Sequence, residues 1–291
     1  MHPAPSVIVF TVLSGIGFGL MFWLGLGAMN VSGFMAASVS ILALGLACIG
    51  LLASTFHLGH PERALLAFTQ WRSSWLSREG VVSVATLVAF SLYAGLWVFW
   101  DVRVWALGWI ASILAALTVF CTAMIYAQLR TVPRWNTALT PLLFVLYALA
   151  LPAMLVGQPI LSFGYFVALT VVQMMHWNGR KLSSAGSPES ATGLESMGEL
   201  RLLEAPHSGP NYLVNEMIFK VGRSRAEALR KVVLALGFGV PIVILALWGL
   251  GWFAHWLLIV AGLAHLAGAA ASRWLFFAEA EHVVGLYYGQ R

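Results

Sequence analysis

Charge is what this sequence has least of. Only 9% of its 291 residues are Asp, Glu, Lys or Arg, against 60% hydrophobic. A soluble domain carries about 25% charged and about 45–50% apolar residues. That gap excludes a soluble globular enzyme, a disordered chain and a coiled coil. Cysteine is almost as scarce: Cys48 and Cys121 each sit inside an apolar run. A disulfide scaffold needs more, and an iron–sulfur cluster needs about four thiolates, so the chain cannot hold a cluster alone. Both cysteines read as small packing residues. The alternating ten-residue strands of an outer-membrane barrel are missing, as are nucleic-acid motifs, internal repeats and low-complexity tracts. Residues 1–4 carry no Lys or Arg and no small-residue cleavage site follows, so the first apolar run is expected to be a retained helix.

What is present is a series of apolar runs near 20 residues long, and mean hydropathy is +0.85. The expected fold is all-α and polytopic, one domain over 1–291, with eight spans near 5–27, 33–56, 80–100, 104–129, 138–157, 159–177, 230–250 and 252–273. Gly157-Gln158-Pro159 predicts a tight hairpin between the fifth and sixth, and Gly249-Leu250-Gly251 a turn between the seventh and eighth. Glycines such as Gly15, Gly17 and Gly19 allow close helix approach in lipid. Two connections are long. Residues 57–79 mix Arg63, Arg72 and Arg78 with Trp71 and Trp75, which suits an interfacial segment. Residues 178–229 are the extended polar stretch, and the spacing of Leu213, Met217, Ile218 and Val221 predicts a juxtamembrane helix near its end.

Net charge is +5. Eight spans put both termini and the connections 57–79, 130–137 and 178–229 on one side. That side holds Arg63, Arg72, Arg78, Arg130, Arg134, Arg180, Lys181, Arg201, Lys220, Arg223, Arg225, Arg230, Lys231, Arg273 and Arg291, fifteen of the sixteen Lys plus Arg; Arg103 faces the other side. The positive-inside rule therefore predicts cytoplasmic termini and long loops.

The densest polar cluster lies where the second span ends and the third begins: Ser54-Thr55-Phe56-His57-Leu58-Gly59-His60-Pro61, then Ser74-Trp75-Leu76-Ser77-Arg78-Glu79-Gly80. Ionisable groups at membrane depth are costly and point to function. A His and a Glu here could pass protons between water and a bound quinone. The competing reading is structural: the helix start favours Glu79, and Arg63 or Arg78 neutralises it. Tyr126, in Met124-Ile125-Tyr126-Ala127, could hydrogen-bond a quinone carbonyl or stand in an aromatic belt. His255 and His265 lie ten residues apart on one helix and cannot clasp one haem; His57, His176 and His265 could pair only across helices. No metal site is expected. The stretch Ala278-Glu279-Ala280-Glu281-His282 reads as a solvated or docking tail.

The His57-Leu58-Gly59 run, the Trp75-to-Glu79 run and the Met124-to-Trp135 run resemble the membrane anchor subunit of the dimethyl sulfoxide reductase group of molybdoenzymes, over essentially the whole chain. The resemblance implies partners: a molybdopterin catalytic subunit and an iron–sulfur subunit, which hold the redox metals. It also implies a ubiquinone or menaquinone bound where the iron–sulfur subunit docks, with His57 and Glu79 in quinone binding or protonation. Trp75, Arg78, Tyr126 and His60 extend that site. The stretch 187–213 is similar to the branch of quinone-dependent sulfite dehydrogenases, which keep their catalytic subunits in the cytoplasm. The expectation is thus a quinone-reactive anchor in a bacterial inner membrane, passing electrons from sulfite oxidation to quinone. Its rivals are a quinol-oxidising anchor of a dimethyl sulfoxide reductase, a purely structural anchor, and a secondary transporter. The transporter would need mid-membrane charges, and none is expected here.

Overall fold

The computed structural model describes residues 3–56, 60–179, 187–201, 203–204, 207, 209, 225–252 and 254–288. Among these residues eight apolar helices run back and forth: α1 (Pro5–Gly25), α2 (Gly33–Thr55), α3 (Trp75–Trp100), α4 (Trp105–Ala127), α5 (Leu139–Leu155), α6 (Pro159–Trp177), α7 (Ala226–Gly249) and α8 (His255–Ala278). Seven are long and apolar enough to cross a membrane. The 17 residues of α5 rise about 26 Å at about 1.5 Å each, somewhat under the hydrocarbon thickness of about 30 Å. The ends of the bundle that share the α1 N-terminus are called the N-terminal side below.

Helix α1 is central and packs against α2, α4, α5 and α8. Small residues set those distances. A Cβ on Gly17 would run into the α2 backbone at Ala43 and Ala47, and one on Gly50 into Ser14. Without a hydrophobic drive between helices in lipid, such backbone approach supplies the packing contacts. Gly237 of α7 and Gly268 of α8 meet in the same way. Over Val233–Gly239 α7 widens into π-helix, a form found often beside functional sites. The Gly237 carbonyl there accepts from His265 Nδ1 at 2.8 Å. The outward surfaces stay apolar, with Phe34, Ile41 and Leu52 of α2 and Val88 and Leu92 of α3 exposed.

Both predicted turns are present, with Gly157 and Gly251 at positive φ. Three boundaries differ from expectation. First, α3 begins at Trp75 rather than 80, after Ser74, whose side chain accepts from the Ser77 backbone N–H. Second, α7 begins at Ala226, so the last residues assigned to a juxtamembrane helix belong to a span; that expected helix otherwise lies outside the described residues. Third, α8 runs on to Ala278. Arg273 is therefore not a loop charge but a buried one inside the bundle. The 278–282 stretch is no solvated tail either: Ala278, Glu279 and Ala280 are buried. Glu279 is enclosed because it is the counter-charge of Arg134 and Arg230, at 3.2 and 2.7 Å.

Candidate functional site

The connection from α2 to α3 folds back over the start of α3. A 3-10 helix, Pro61–Phe68, lies there. The Ser77 hydroxyl donates to the Ala67 carbonyl, and the Phe68 ring packs over Gly80. Arg78 spends its guanidinium on this segment: Nε donates to the Trp71 carbonyl at 3.0 Å and Nη2 to the Arg72 carbonyl at 2.6 Å. Its planar group lies over the Trp75 ring at 4.3 Å, and Trp75 packs edge-on against Phe120 of α4. Leu65, Leu66 and Trp71 of the same cap face outward.

Beneath this cap sits Glu79, 5% exposed. Residues four apart share a helix face, so Trp75 and Glu79 both point at α4. The Thr122 hydroxyl of α4 lies 2.5 Å from Glu79 Oε1 and 3.0 Å from the Thr118 carbonyl. Among the described residues Glu79 has no ion-pair partner. Arg78, adjacent in sequence, points into the cap instead, and Arg63 is exposed. Contrary to the structural reading of the sequence, neither arginine neutralises Glu79. An enclosed carboxyl with one hydroxyl neighbour and no counter-charge among the described residues suits a group that takes up and releases a proton.

Tyr126 stands one helical turn beyond Thr122. Its ring is set among Trp135, Phe144, Phe276 and Phe277, with centroids 5.3–5.6 Å away. Its hydroxyl has no hydrogen-bond partner among the described residues and can meet an acceptor. It is thus part of an aromatic cluster inside the bundle rather than a belt residue. His60 is not brought to this site: its exposed ring bonds Glu62 Oε1 at 2.8 Å. His57 lies outside the described residues.

The structure adds residues that sequence reasoning passed over. A cavity between α1, α4, α5 and α8 is lined by Thr11, Ser14, Thr122, Tyr147, His265 and Arg273, with Phe144 as its aromatic wall. It leaves about 20 Å³ for the centre of a water molecule. Arg273 is 4% exposed, and its guanidinium lies 3.6 Å from the centre of the Phe144 ring. No carboxylate pairs with it among the described residues. A second cavity, of about 10 Å³ by the same measure, lies between Arg273, Gln173, Ser272, His176, Arg134 and Glu279. Tyr147 and Ser272 both donate to Gln173 Oε1, at 3.2 and 3.0 Å. The signal that could have found this polar core was the apolar run Leu275-Phe276-Phe277-Ala278 beyond Arg273, which continues the eighth span.

Two comparisons bear on what such a bundle does. The profile of the family described as "DMSO reductase anchor subunit (DmsC)" matches residues 1–278. The chain is also 33% identical to a subunit of the sulfite dehydrogenase of Allochromatium vinosum, across 99% of each chain.

Proposed function

The chain belongs to the DMSO reductase anchor subunit family and is a membrane subunit of an oxidoreductase complex of that type; from that premise we propose that it binds a quinone beside Glu79 and passes electrons between a partner iron–sulfur subunit and the membrane quinone pool. The observation that carries this is the enclosed Glu79 carboxyl, held by Thr122 under the cap of residues 61–73 with no counter-ion among the described residues. When bound, a quinone takes two electrons and two protons to become a quinol. The residues present suit that chemistry. Glu79 can donate and recover a proton, and the Tyr126 hydroxyl is free to donate to a carbonyl oxygen. Trp75, fixed by Arg78 and Phe120, gives a flat wall beside the start of α3. His57, next along the chain from the α2 C-terminus, is the proposed second proton carrier. The iron–sulfur subunit would dock on the N-terminal side, over the outward-facing Leu65, Leu66 and Trp71, bringing its cluster near the quinone, and a molybdopterin subunit would supply or take the electrons.

The name of the A. vinosum relative, with its near-complete coverage, favours electron flow from sulfite to quinone. The arginine-rich N-terminal side then faces the cytoplasm of a bacterial inner membrane. The test uses membranes holding the assembled complex. Glu79→Gln and His57→Ala are expected to leave assembly and dye-linked oxidation of the substrate intact while slowing quinone reduction tenfold or more. Quinone kinetics like those of the natural chain in both variants would overturn the reading.

A further inference from the structure

Two water-sized cavities meet at one buried guanidinium. The first touches Thr122, the hydrogen-bond partner of Glu79. The second touches Glu279, whose carboxylate joins Arg134 and Arg230 at the N-terminal side. Arg273 lines both. A buried water needs about 10–15 Å³ of such space and two to four polar partners. The two cavities have about 20 and 10 Å³, room for one or two waters and for one. Both supply the partners. His176 Nε2 is buried without a hydrogen-bond partner and lies on the second cavity. Tyr147 and Ser272 give their protons to Gln173, so their oxygens remain acceptors. The Arg273 guanidinium lies over the Phe144 ring, and its N–H groups serve as donors.

We propose that both cavities hold bound water and that, joined at Arg273, they form a proton path from the Arg134–Glu279–Arg230 cluster to Glu79. The functional half of this rests on the quinone reading above. Each quinone reduced there consumes two electrons from the partner and two protons. Glu79 can supply one of these only if it is reprotonated. The path brings that proton from water on the N-terminal side, so the proton does not cross the membrane. A fixed cation beside a water file opposes an excess proton, which makes the passage by Arg273 the slowest stretch of the path. The amide of Gln173 cannot relay a proton, so transfer runs through water past Arg273 and Ser272 rather than along the Tyr147–Gln173–Ser272 bonds.

The experiment is hydroxyl-radical footprinting of the intact complex, in which bound water labels neighbouring side chains even when they are buried. Phe144 and Tyr147 at the first cavity and Phe276 at the second are expected to label well above Phe90 and Trp97, which are at least as deeply buried and line neither cavity. Gly15→Val then plugs the first cavity, because Gly15 lines it and a Cβ there meets nothing within 4 Å. Labelling of Phe144 and Tyr147 should fall at least threefold while Phe276 keeps its label. Quinone reduction should slow severalfold, with an enlarged solvent isotope effect. Gly45→Val, equally open but on α2 away from the cavity, should do neither. Labelling no higher than at Phe90 and Trp97 would overturn the proposal. So would a Gly15→Val chain that loses the label but reduces quinone at the normal rate. If Glu79→Gln has no effect on quinone reduction, the quinone reading fails, and the footprint still decides whether the cavities are hydrated.

Discussion

Glu279 offers the sharpest energetic prediction. Its carboxylate divides between two arginines, Oε2 to Arg134 at 3.2 Å and Oε1 to Arg230 at 2.7 Å. The side chains of Glu279 and Arg134 are 7% and 10% exposed, that of Arg230 32%. Glu279→Ala removes the counter-charge and leaves a guanidinium buried. Losing one partner of a buried pair costs about 3–5 kcal/mol, whereas the better-solvated Arg230 adds about 0–1 kcal/mol. For a chain of roughly this size each kcal/mol lowers Tm by about 2–4 °C, so a fall of about 6–24 °C is expected. Glu279→Gln keeps the shape and one acceptor, and should lose about half as much. Pairing Glu279→Ala with Arg134→Met should cost less than the two single changes added, because the second change removes the stranded charge. The assay is the midpoint of heat-induced loss of the monodisperse complex in mild detergent. A shift under about 2 °C for Glu279→Ala, or strict additivity in the double variant, would refute the reasoning.

Other outcomes follow from the same geometry. Thr122→Val keeps the shape beside Glu79 but removes its hydroxyl, and should reduce the rate of quinone reduction severalfold with little loss of assembly; an unchanged rate would separate Thr122 from the site. Glu79→Gln should flatten the pH dependence of quinone reduction, read from rates across the neutral range, because the amide cannot exchange a proton. Gly268→Leu should prevent α7 and α8 from closing, since even a Cβ there meets the Gly237 backbone; recovery of a folded complex at normal yield would contradict that packing.

The fold was legible because lipid imposes a simple rule: apolar runs of sufficient length become helices, and glycine punctuates them. Gly157 and Gly251 mark their turns for that reason. Glu79 was legible too, as a carboxyl where apolar sequence resumes. Its surroundings were not. Arg78 is its neighbour in sequence but bonds the cap carbonyls of Trp71 and Arg72 instead. Thr122 is 43 residues away and looks like any small polar residue in a span. Hydropathy ends the eighth helix at Arg273 because it counts an arginine as a terminator. It cannot register that a guanidinium lies over the Phe144 ring, inside the bundle, at 3.6 Å. The same bias makes Glu279 look like a tail residue, although two arginines hold it.

The order in which the ribosome makes these charges has its own consequence. Arg134 and Arg230 emerge well before Glu279, which follows the last span. Until α8 has inserted, both arginines wait without the carboxylate that binds them in the finished bundle, and unpaired charge at membrane depth is unfavourable. In the finished bundle Glu279 ties distant parts of the chain together. It fastens the α4–α5 connection, the start of α7 and the end of α8 in one late step.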